Sequence, residues 1–338
     1  MTIEKNFSLK NYNTFGIDIC ADFFVSVSSI TELQEAIKFK NKHNLPLMVL
    51  GGGSNVLFSN PFKGLVIHIN LKGKEIIKKF DDKVWVSVQA GENWHEFVLW
   101  AVQNDFGGIE NLSLIPGNVG TGPIQNIGAY GMEVKDSLVS VKYFDIETEQ
   151  EIEISNANCQ FGYRESIFKN SLKGKFIITE VVYVLTTKNH QLKLAYGQIN
   201  QELEKQGVTK PTLKEISQTV TKIRESKLPN PEKQGNAGSF FKNPTISDKQ
   251  LIELKKSFPD IISFPDKNGV KLAAGWLIEK AGWKGKQIGN AGVHAQQALV
   301  LINLANAKGS EIVELSELIK KDVFSKFNIK LETEVNVV

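Results

Sequence analysis

The apolar and polar positions alternate between helical and strand-like spacing. Over residues 31–44 the apolar side chains follow the 3.6-residue period, and this pattern predicts an amphipathic helix capped by Thr31. The short apolar run 45–50 then predicts a buried strand, and the glycine-rich stretch 51–55 follows it as a loop. The chain therefore predicts a helix, a strand and a glycine loop in succession.

In the middle of the chain, the regular spacing of apolar residues gives way to an irregular, glycine-rich stretch. Residues 64–69 and 84–91 read as strands, and an amphipathic helix is predicted over 94–104. Residues 105–136 are rich in glycine and show almost no periodicity. A long irregular stretch inside a compact domain is usually functional, so this segment becomes a candidate site.

The second half predicts a hairpin over 137–154, a long strand over 174–187 and a helix over 217–228. Pro229 and Pro231 stop that helix, which places a domain boundary near residue 228. The elements predicted beyond it are helices over 272–282 and 311–328 and a terminal strand over 329–338.

Composition narrows the class of protein. A chain of 338 residues with 41% hydrophobic and 23% charged residues predicts a globular protein of two or three domains. No apolar run approaches the roughly 18 residues that span a bilayer, and no signal peptide opens the chain, so we expect a cytoplasmic protein without membrane insertion. The two cysteines are too few for a disulfide framework or a four-thiolate zinc site, and no metal is expected.

The net charge of +3 comes from scattered basic residues, which does not favour nucleic acid as a partner. Arg164 and Arg224 are the only arginines among the 40 basic residues. A planar guanidinium binds a carboxylate or phosphate through two parallel hydrogen bonds, and a lysine side chain cannot reproduce this geometry. Both arginines are therefore candidate functional residues, although a genome that favours lysine codons would also explain their rarity.

The loop 51–55 (GGGSN) offers unobstructed backbone N–H groups that can receive a phosphate. It is neither a dinucleotide fingerprint nor a Walker loop, and a simple glycine turn between two strands is an equal alternative. The segment 114–131 (LIPGNVGTGPIQNIGAYG) allows close backbone approach to a flat ligand, and its isoleucines argue against a loose surface loop.

Two further residues are chemical candidates. Arg164 lies beside Glu165, with which an exposed salt bridge is the ordinary expectation. Ser239 lies between Gly238 and two phenylalanines, where its hydroxyl is either a proton donor or acceptor in a partly dry cavity or a plain turn serine.

Taken together, these segments resemble the UDP-N-acetylenolpyruvoylglucosamine reductase family of bacterial cell-wall precursor synthesis. The resemblance covers nearly the whole chain in collinear order. Its blocks are NTFGI (13–17), VLGGGSNVL (49–57), IPGNVGTGPIQNIGAYG (115–131), CQFGYRESIF (159–168), GNAGSFFKNP (235–244), AAGWLIEKAG (273–282), GVHAQQALVLIN (292–303) and LETEV (331–335).

The resemblance implies an α+β fold in which two subdomains of the vanillyl-alcohol-oxidase/PCMH type bind FAD and a third α/β domain binds substrate. The boundaries predicted from it are 1–72 for FAD-binding subdomain 1, 73–228 with 328–338 for FAD-binding subdomain 2, and 229–327 for the substrate-binding domain.

The resemblance also implies roles for individual residues. The catalytic set is Arg164, Ser239 and Glu334, and the substrate contacts are Tyr196, Lys227, Asn243 and Gln297, with Tyr196 as the clamping tyrosine of the longer, type I branch. The implied FAD contacts are Gly51, Gly52, Gly53, Ser54, Asn55, Pro116, Gly117, Gly120, Thr121, Gln125, Asn126, Gly128, Ala129 and Tyr130.

The resemblance implies that the protein is an NADPH-dependent oxidoreductase with non-covalent FAD. It also implies that the protein acts as a monomer on a UDP-sugar. The resemblance implies that the reduced flavin delivers hydride to the terminal carbon of the enolpyruvyl group and that Ser239 protonates the neighbouring carbon. The Arg164 guanidinium and Glu334, as a protonated acid, stabilise the negative charge that develops on the carboxylate. Lys227 meets a phosphate of NADPH or of the uridine diphosphate. The alternatives are an oxidase on the same fold that passes electrons to oxygen, and a nucleotide-sugar binding module that does no chemistry.

Overall fold

The structure, a computed structural model, describes residues 1–195, 198–267 and 269–338. The chain forms two compact units that each combine separate stretches of sequence. Unit 1 comprises Met1–Phe7, Asp22–Gly52 and Lys63–Ser226, and unit 2 comprises Ser8–Ala21, Gly53–Phe62 and Lys227–Val338. The three-domain division over 1–72, 73–228 with 328–338, and 229–327 stays a prediction.

Polar side chains cap the first two α-helices. Ser29 accepts a hydrogen bond from the Glu32 amide at the start of the first helix, and Asn93 accepts one from the Glu96 amide at the second. The predicted cap Thr31 is wrong by two residues, because Thr31 already lies within the first turn. The described α-helices are α1 (Ile30–Lys42), α2 (Trp94–Gln103), α3 (Ile199–Lys205), α4 (Leu213–Lys227), α5 (Asp248–Ser257), α6 (Ala274–Lys280) and α7 (Gly309–Phe327).

Strands supply most of the remaining regular structure. Those of the first half are β1 (Glu4–Ser8), β2 (Cys20–Val27), β3 (Leu47–Leu50), β4 (Val56–Leu57), β5 (Phe62–Ile69), β6 (Lys74–Lys79), β7 (Lys83–Gln89), β8 (Gly128–Ala129), β9 (Met132–Glu133), β10 (Leu138–Asp145) and β11 (Glu151–Ser155). Those of the second half are β12 (Phe176–Thr186), β13 (Asn236–Ser239), β14 (Thr245–Ile246), β15 (Ser263–Asp266), β16 (Gly269–Leu272), β17 (Gln287–Ile288), β18 (Ala291–Val293), β19 (Val300–Asn303) and β20 (Asn336–Val337).

Unit 1 contains a four-stranded sheet in the order β1-β2-β5-β3 and a five-stranded antiparallel sheet in the order β11-β10-β12-β7-β6. In β7 the residues Val84, Val86 and Val88 are buried, and they join a core that includes Trp94 and Phe97 of α2. The apolar alternation of β7 thus places one face of the strand in this core. A smaller cluster packs α3 against α4 and includes Tyr130.

Unit 2 contains an antiparallel sheet β13-β19-β18-β17, a three-stranded sheet β14-β16-β15 and the parallel pair β20-β4. Its core gathers Phe240 and Phe241 with the apolar face of α7, including Ile312, Ile319 and Val323. The 3.6-residue spacing of these α7 residues explains why one face of the helix is buried.

The predicted terminal strand over 329–338 is only partly correct. Strand pairing is limited to Asn336–Val337, which pair in parallel with Val56 and Leu57. The preceding residues make single bridges instead, as at Thr333 opposite Phe241. The alternating sequence of residues 329–338 therefore predicts extended backbone. Which of these residues form a strand depends on hydrogen bonds to residues far away in the sequence, here Val56 and Leu57. Among the described residues, no helix combines the length and apolarity that a bilayer crossing requires.

Candidate active site

The glycine loop is shaped by close backbone contacts. A Cβ on Gly51 would lie 2.8 Å from Cγ2 of Thr121, and one on Gly52 would lie 2.8 Å from Oδ1 of Asn118. Gly53 has a φ of +62° and turns the chain against the backbone of Tyr12 within unit 2, where no side chain fits. Ser54 and Asn55 follow, partly buried, before β4 begins.

The segment 116–131 is held by hydrogen bonds rather than by regular structure. The Gly120 amide donates to the carbonyl of Ala90, and a Cβ on Gly120 would lie 2.5 Å from Cβ of Ala90. The Thr121 hydroxyl donates to the carbonyl of Asn118 at 2.7 Å. The fully buried Asn126 donates its amide to the Gly162 carbonyl at 2.9 Å. The segment is therefore a packed part of unit 1, as its isoleucines predict.

A cavity of about 230 Å³ lies in unit 1 where this segment meets β3 and β12. Gly51, Gly120 and Thr121 contribute to its wall, which is otherwise mainly apolar. Its apolar wall residues include Leu47, Val49, Ile69, Ile124, Ile177 and Ile178.

The residues around this cavity fit FAD. Glycine backbone without side chains offers N–H groups to phosphates, and an apolar slot accepts a flat ring. The volume is below the roughly 300–1,000 Å³ of pockets that enclose a whole drug-sized ligand, so the slot suits one ring system of the cofactor and not all of it. Gly51, Gly120 and Thr121 are the predicted cofactor residues that border it.

The far end of the same segment carries the first arginine. Arg164 has a φ of +54°, and its Nη2 donates to the Gly128 carbonyl at 3.0 Å. Gly128 and Ala129 form β8, and Tyr130 follows with a φ of +49° and a carbonyl that accepts from Nδ2 of Asn111. Arg164 is thereby tied to the predicted cofactor segment within unit 1.

The second arginine, Arg224, lies on α4 and donates from Nε to the Leu114 carbonyl at 3.3 Å. The Leu114 amide donates to Nδ1 of His95 at 2.9 Å. Burial lowers the pKa of His95, and the nearby Arg224 charge lowers it further. Burial raises the pKa of Tyr130, which the Arg224 charge partly opposes. Arg224, Tyr130 and His95 therefore share one neighbourhood in unit 1.

In unit 2, Ser239 ends β13 directly after a bulge. Ser239 pairs with Val300 and Asn236 with Ile302, so the register shifts between them, and Gly238 has a φ of +69°. Such a bulge redirects the next side chain. The Ser239 side chain is partly buried, and its hydroxyl makes no hydrogen bond to any described residue. The hydroxyl is therefore available to a ligand.

Glu334 lies next to Ser239 along the backbone ladder. The Glu334 amide donates to the carbonyl of Phe240 at 2.8 Å, and the Lys242 amide donates to the carbonyl of Glu332 at 2.9 Å. On its other side the Glu334 carbonyl accepts from Nδ2 of Asn55 at 3.4 Å. Unit 2 thus brings two of the three predicted catalytic residues together, although they are far apart in sequence.

Two predicted substrate contacts also meet in unit 2. Oδ1 of Asn243 accepts from the Ala274 amide at 2.9 Å, at the start of α6. Oε1 of Gln297 lies 3.3 Å from the position of a Cβ on Gly275, in the first turn of the same helix. Lys227 is exposed at the end of α4, and Tyr196 lies outside the described residues. The roles of all four residues stay predictions.

The sequence analysis did not identify Asn118 or His95 as candidates. The Asn118 side chain packs against the glycine loop, since its Oδ1 would lie 2.8 Å from a Cβ on Gly52. Its Nδ2 donates to the Gly91 carbonyl at 3.2 Å. The signal was an asparagine inside a glycine-rich turn, where its side chain often bonds to backbone. In the described ranges, no group of three or more His, Cys, Asp or Glu side chains is placed to hold a metal ion.

Comparison with protein-family models gives two matches. Residues 21–155 match a model described as an FAD binding domain. Residues 230–338 match one described as the UDP-N-acetylenolpyruvoylglucosamine reductase C-terminal domain.

Known proteins resemble the chain along its full length. The UDP-N-acetylenolpyruvoylglucosamine reductase of Flavobacterium johnsoniae is 55% identical and covers 100% of both chains. That of Neisseria meningitidis is 44% identical over 99% of this chain and 97% of its own. The solved reductase of Thermus caldophilus has a TM-score of 0.70 at 24% identity, covering 100% of this chain and 99% of its own. These similarities confirm the predicted fold class.

Proposed function

The chain belongs to the UDP-N-acetylenolpyruvoylglucosamine reductase family, and from this premise we propose the following reaction. The chain uses NADPH to reduce the enolpyruvyl group of UDP-N-acetylglucosamine enolpyruvate to the lactyl ether of UDP-N-acetylmuramate, in peptidoglycan precursor synthesis. Family membership and the matched FAD domain confirm that the chain is an oxidoreductase and that its cofactor is FAD.

The proximity of Ser239 to Glu334 carries this proposal. The residue that follows Ser239 accepts the Glu334 amide hydrogen bond at 2.8 Å, so a hydroxyl and a carboxyl group lie on adjacent extended segments of unit 2. A proton donor beside an acid suits a substrate that carries both a reacting carbon and a carboxylate.

FAD, held by residues that include Gly51, Gly120 and Thr121, would supply the hydride-transfer chemistry between NADPH and the substrate. The Arg164 guanidinium and Glu334, as a protonated acid, donate hydrogen bonds to the substrate carboxylate and offset the negative charge that develops there. Ser239 donates its Oγ proton to the neighbouring carbon, and water restores that proton between turnovers. A serine proton is suitable only because the receiving carbon is strongly basic and water is excluded.

The rest of the substrate is held by residues that need not react. We assign Asn243 and Gln297, which lie beside the first turn of α6, to the nucleotide-sugar part of the substrate. We assign Lys227 and Tyr196 to the same part. Lys227 meets a phosphate as a mobile point charge. We further propose that the protein acts as a monomer in the cytoplasm and that NADPH leaves before substrate enters.

The test is to reconstitute the protein with FAD and follow NADPH consumption with and without the enolpyruvyl sugar nucleotide. The proposal predicts that anaerobic NADPH bleaches the flavin absorbance and that the sugar nucleotide restores it. Rapid restoration by air without the sugar nucleotide identifies an oxidase instead. Failure to consume NADPH after FAD has bound identifies a binding module.

A further inference from the structure

His95, in the first turn of α2, holds the residue that opens the predicted cofactor segment 114–131. Its Nδ1 accepts a hydrogen bond from the Leu114 amide at 2.9 Å, and the Leu114 carbonyl accepts one from Nε of Arg224 at 3.3 Å. Leu114 has a φ of +57°, a left-handed conformation that is unfavourable for a residue with a Cβ. Two side chains therefore hold Leu114 in a conformation that its own backbone does not favour.

The His95 bond belongs to a series that joins the start of α2 to the cofactor segment. The Trp94 amide donates to the Gly117 carbonyl at 3.0 Å, and the Gly120 amide donates to the Ala90 carbonyl at 2.9 Å. Gly120 borders the cavity that fits one ring system of FAD. The series therefore runs from the imidazole of His95 to the wall of that cavity.

A proton can break the His95 bond, whereas the backbone bonds beside it do not titrate. Nδ1 accepts a hydrogen bond only while the imidazole is neutral, because both ring nitrogens carry hydrogen in the charged form. Burial lowers the pKa of His95, and the charge of Arg224 lowers it further, while Glu225 and Glu96 act in the opposite direction. These three charged groups act on the ring from α4 and from α2 itself. The fold therefore favours the neutral ring that the bond requires.

We propose that His95 is a positioning residue for FAD, whose imidazole holds Leu114 in its left-handed conformation and thereby sets the course of the segment that binds the cofactor. Protonation of Nδ1 places an N–H against the Leu114 N–H, so the buried amide loses its acceptor. The protein with neutral His95 should therefore bind FAD more tightly than the protein with charged His95. This inference needs only FAD as the cofactor and does not depend on the roles of Ser239 and Glu334.

The test compares FAD affinity across the range in which histidine titrates. FAD-loaded protein is diluted at pH values from about 8 to about 5, the released FAD is followed by fluorescence, and circular dichroism checks the fold at each pH. His95→Gln keeps an oxygen that accepts the Leu114 amide and does not titrate, whereas His95→Leu removes the acceptor. The matched control is His68→Gln, because His68 is a partly buried histidine of unit 1 whose Nδ1 is bonded to the Ser26 hydroxyl at 2.9 Å. Burial lowers the pKa of His68 as well.

In the wild type, the dissociation constant of FAD should rise as the pH falls below the ordinary histidine pKa of 6.5, by up to about tenfold per pH unit. His68→Gln should show the same rise. His95→Gln should show a smaller rise, because its acceptor cannot be protonated. His95→Leu should bind FAD more weakly than His95→Gln already at about pH 8, where the wild-type imidazole is neutral.

The proposal is overturned if the wild-type affinity does not change with pH, a result that needs no variant to fold. It is also overturned if His95→Gln follows the wild type at every pH, or if His95→Leu and His95→Gln bind FAD equally well at about pH 8. Tighter binding in acid that disappears in His95→Gln would contradict it too, because that result assigns His95 a direct contact with a cofactor phosphate.

Discussion

The two units hold their candidate residues by different means. In unit 1, Arg164 and Arg224 donate to carbonyls of a glycine-rich segment that contains little regular structure. In unit 2, Ser239 and Glu334 lie on extended backbone, where Ser239 pairs with Val300 and the Glu334 amide donates to Phe240.

This difference separates binding from chemistry. A site built from side chains that donate to an irregular segment depends on charge and on the space that the glycines of that segment leave. A site built on a backbone ladder keeps its geometry when one side chain is shortened. Substitutions at the glycines of unit 1 should therefore change ligand affinity, and substitutions at Arg164, Ser239 or Glu334 should change a rate while FAD binding persists.

After Ser239, the largest effect is expected at Glu334. Glu334→Ala should slow reoxidation of the reduced enzyme by substrate by about 10²–10³, because one charge-stabilising group is lost. Reduction by NADPH should stay near the wild-type rate in stopped-flow mixing. Glu332→Ala is the matched control, since Glu332 lies two residues away and pairs with Lys242 at 3.3 Å. Equal slowing in both variants would contradict a specific role for the Glu334 carboxyl group.

A smaller effect is expected from Arg164→Lys, which keeps the charge and loses the planar fork. Because a hydrogen bond to a charged group contributes about 1.5–3 kcal/mol, substrate reduction should fall by about tenfold to a hundredfold. Steady-state kinetics together with the urea midpoint provide the check. Near-full activity would contradict a role for the planar fork of Arg164 in the reaction.

Gly51→Ala tests whether unit 1 depends on the room beside its glycines. The added Cβ would lie 2.8 Å from Cγ2 of Thr121. Overpacking costs about 1–3 kcal/mol, so FAD should bind about tenfold more weakly in fluorescence titrations. Thr121→Ser removes that methyl group and keeps the hydroxyl, so the double variant should recover most of the affinity. No recovery would show that this contact does not control FAD binding.

The smallest effect concerns Cys159, which is buried in the core of unit 1. Burial raises the pKa of its thiol from 9.0 to about 12. Since the unfolded chain loses this proton first, the associated stability is complete below pH 9 and declines as the pH rises towards 12.

At pH 10 the loss should be about 1.4 kcal/mol relative to pH 8. Urea unfolding at both values should therefore show a shallower decline in Cys159→Ala than in the wild type. Parallel declines would contradict a buried neutral thiol.

The sequence located several elements because their periodicity is strong. The predicted helices over 31–44 and 94–104 correspond to α1 and α2 within two residues at each end. The strand over 329–338 failed because pairing depends on Val56 and Leu57, which the local pattern cannot specify.

The site shows the same limit. The rarity of Arg224 was visible in the sequence, but its position beside Tyr130 and Leu114 arises from the packing of α4. The proximity of Ser239 to Glu334 was predicted only from the family resemblance, because no local pattern connects residues so far apart in the sequence.

The most direct test of the proposed mechanism is Ser239→Ala in single-turnover mixing, with Ser247→Ala as the control because Ser247 only caps α5. The account predicts that FAD binds and is reduced by NADPH at a near-normal rate, while reoxidation by the enolpyruvyl sugar nucleotide is lost. Reoxidation at the wild-type rate would contradict the assignment of Ser239 as the proton donor.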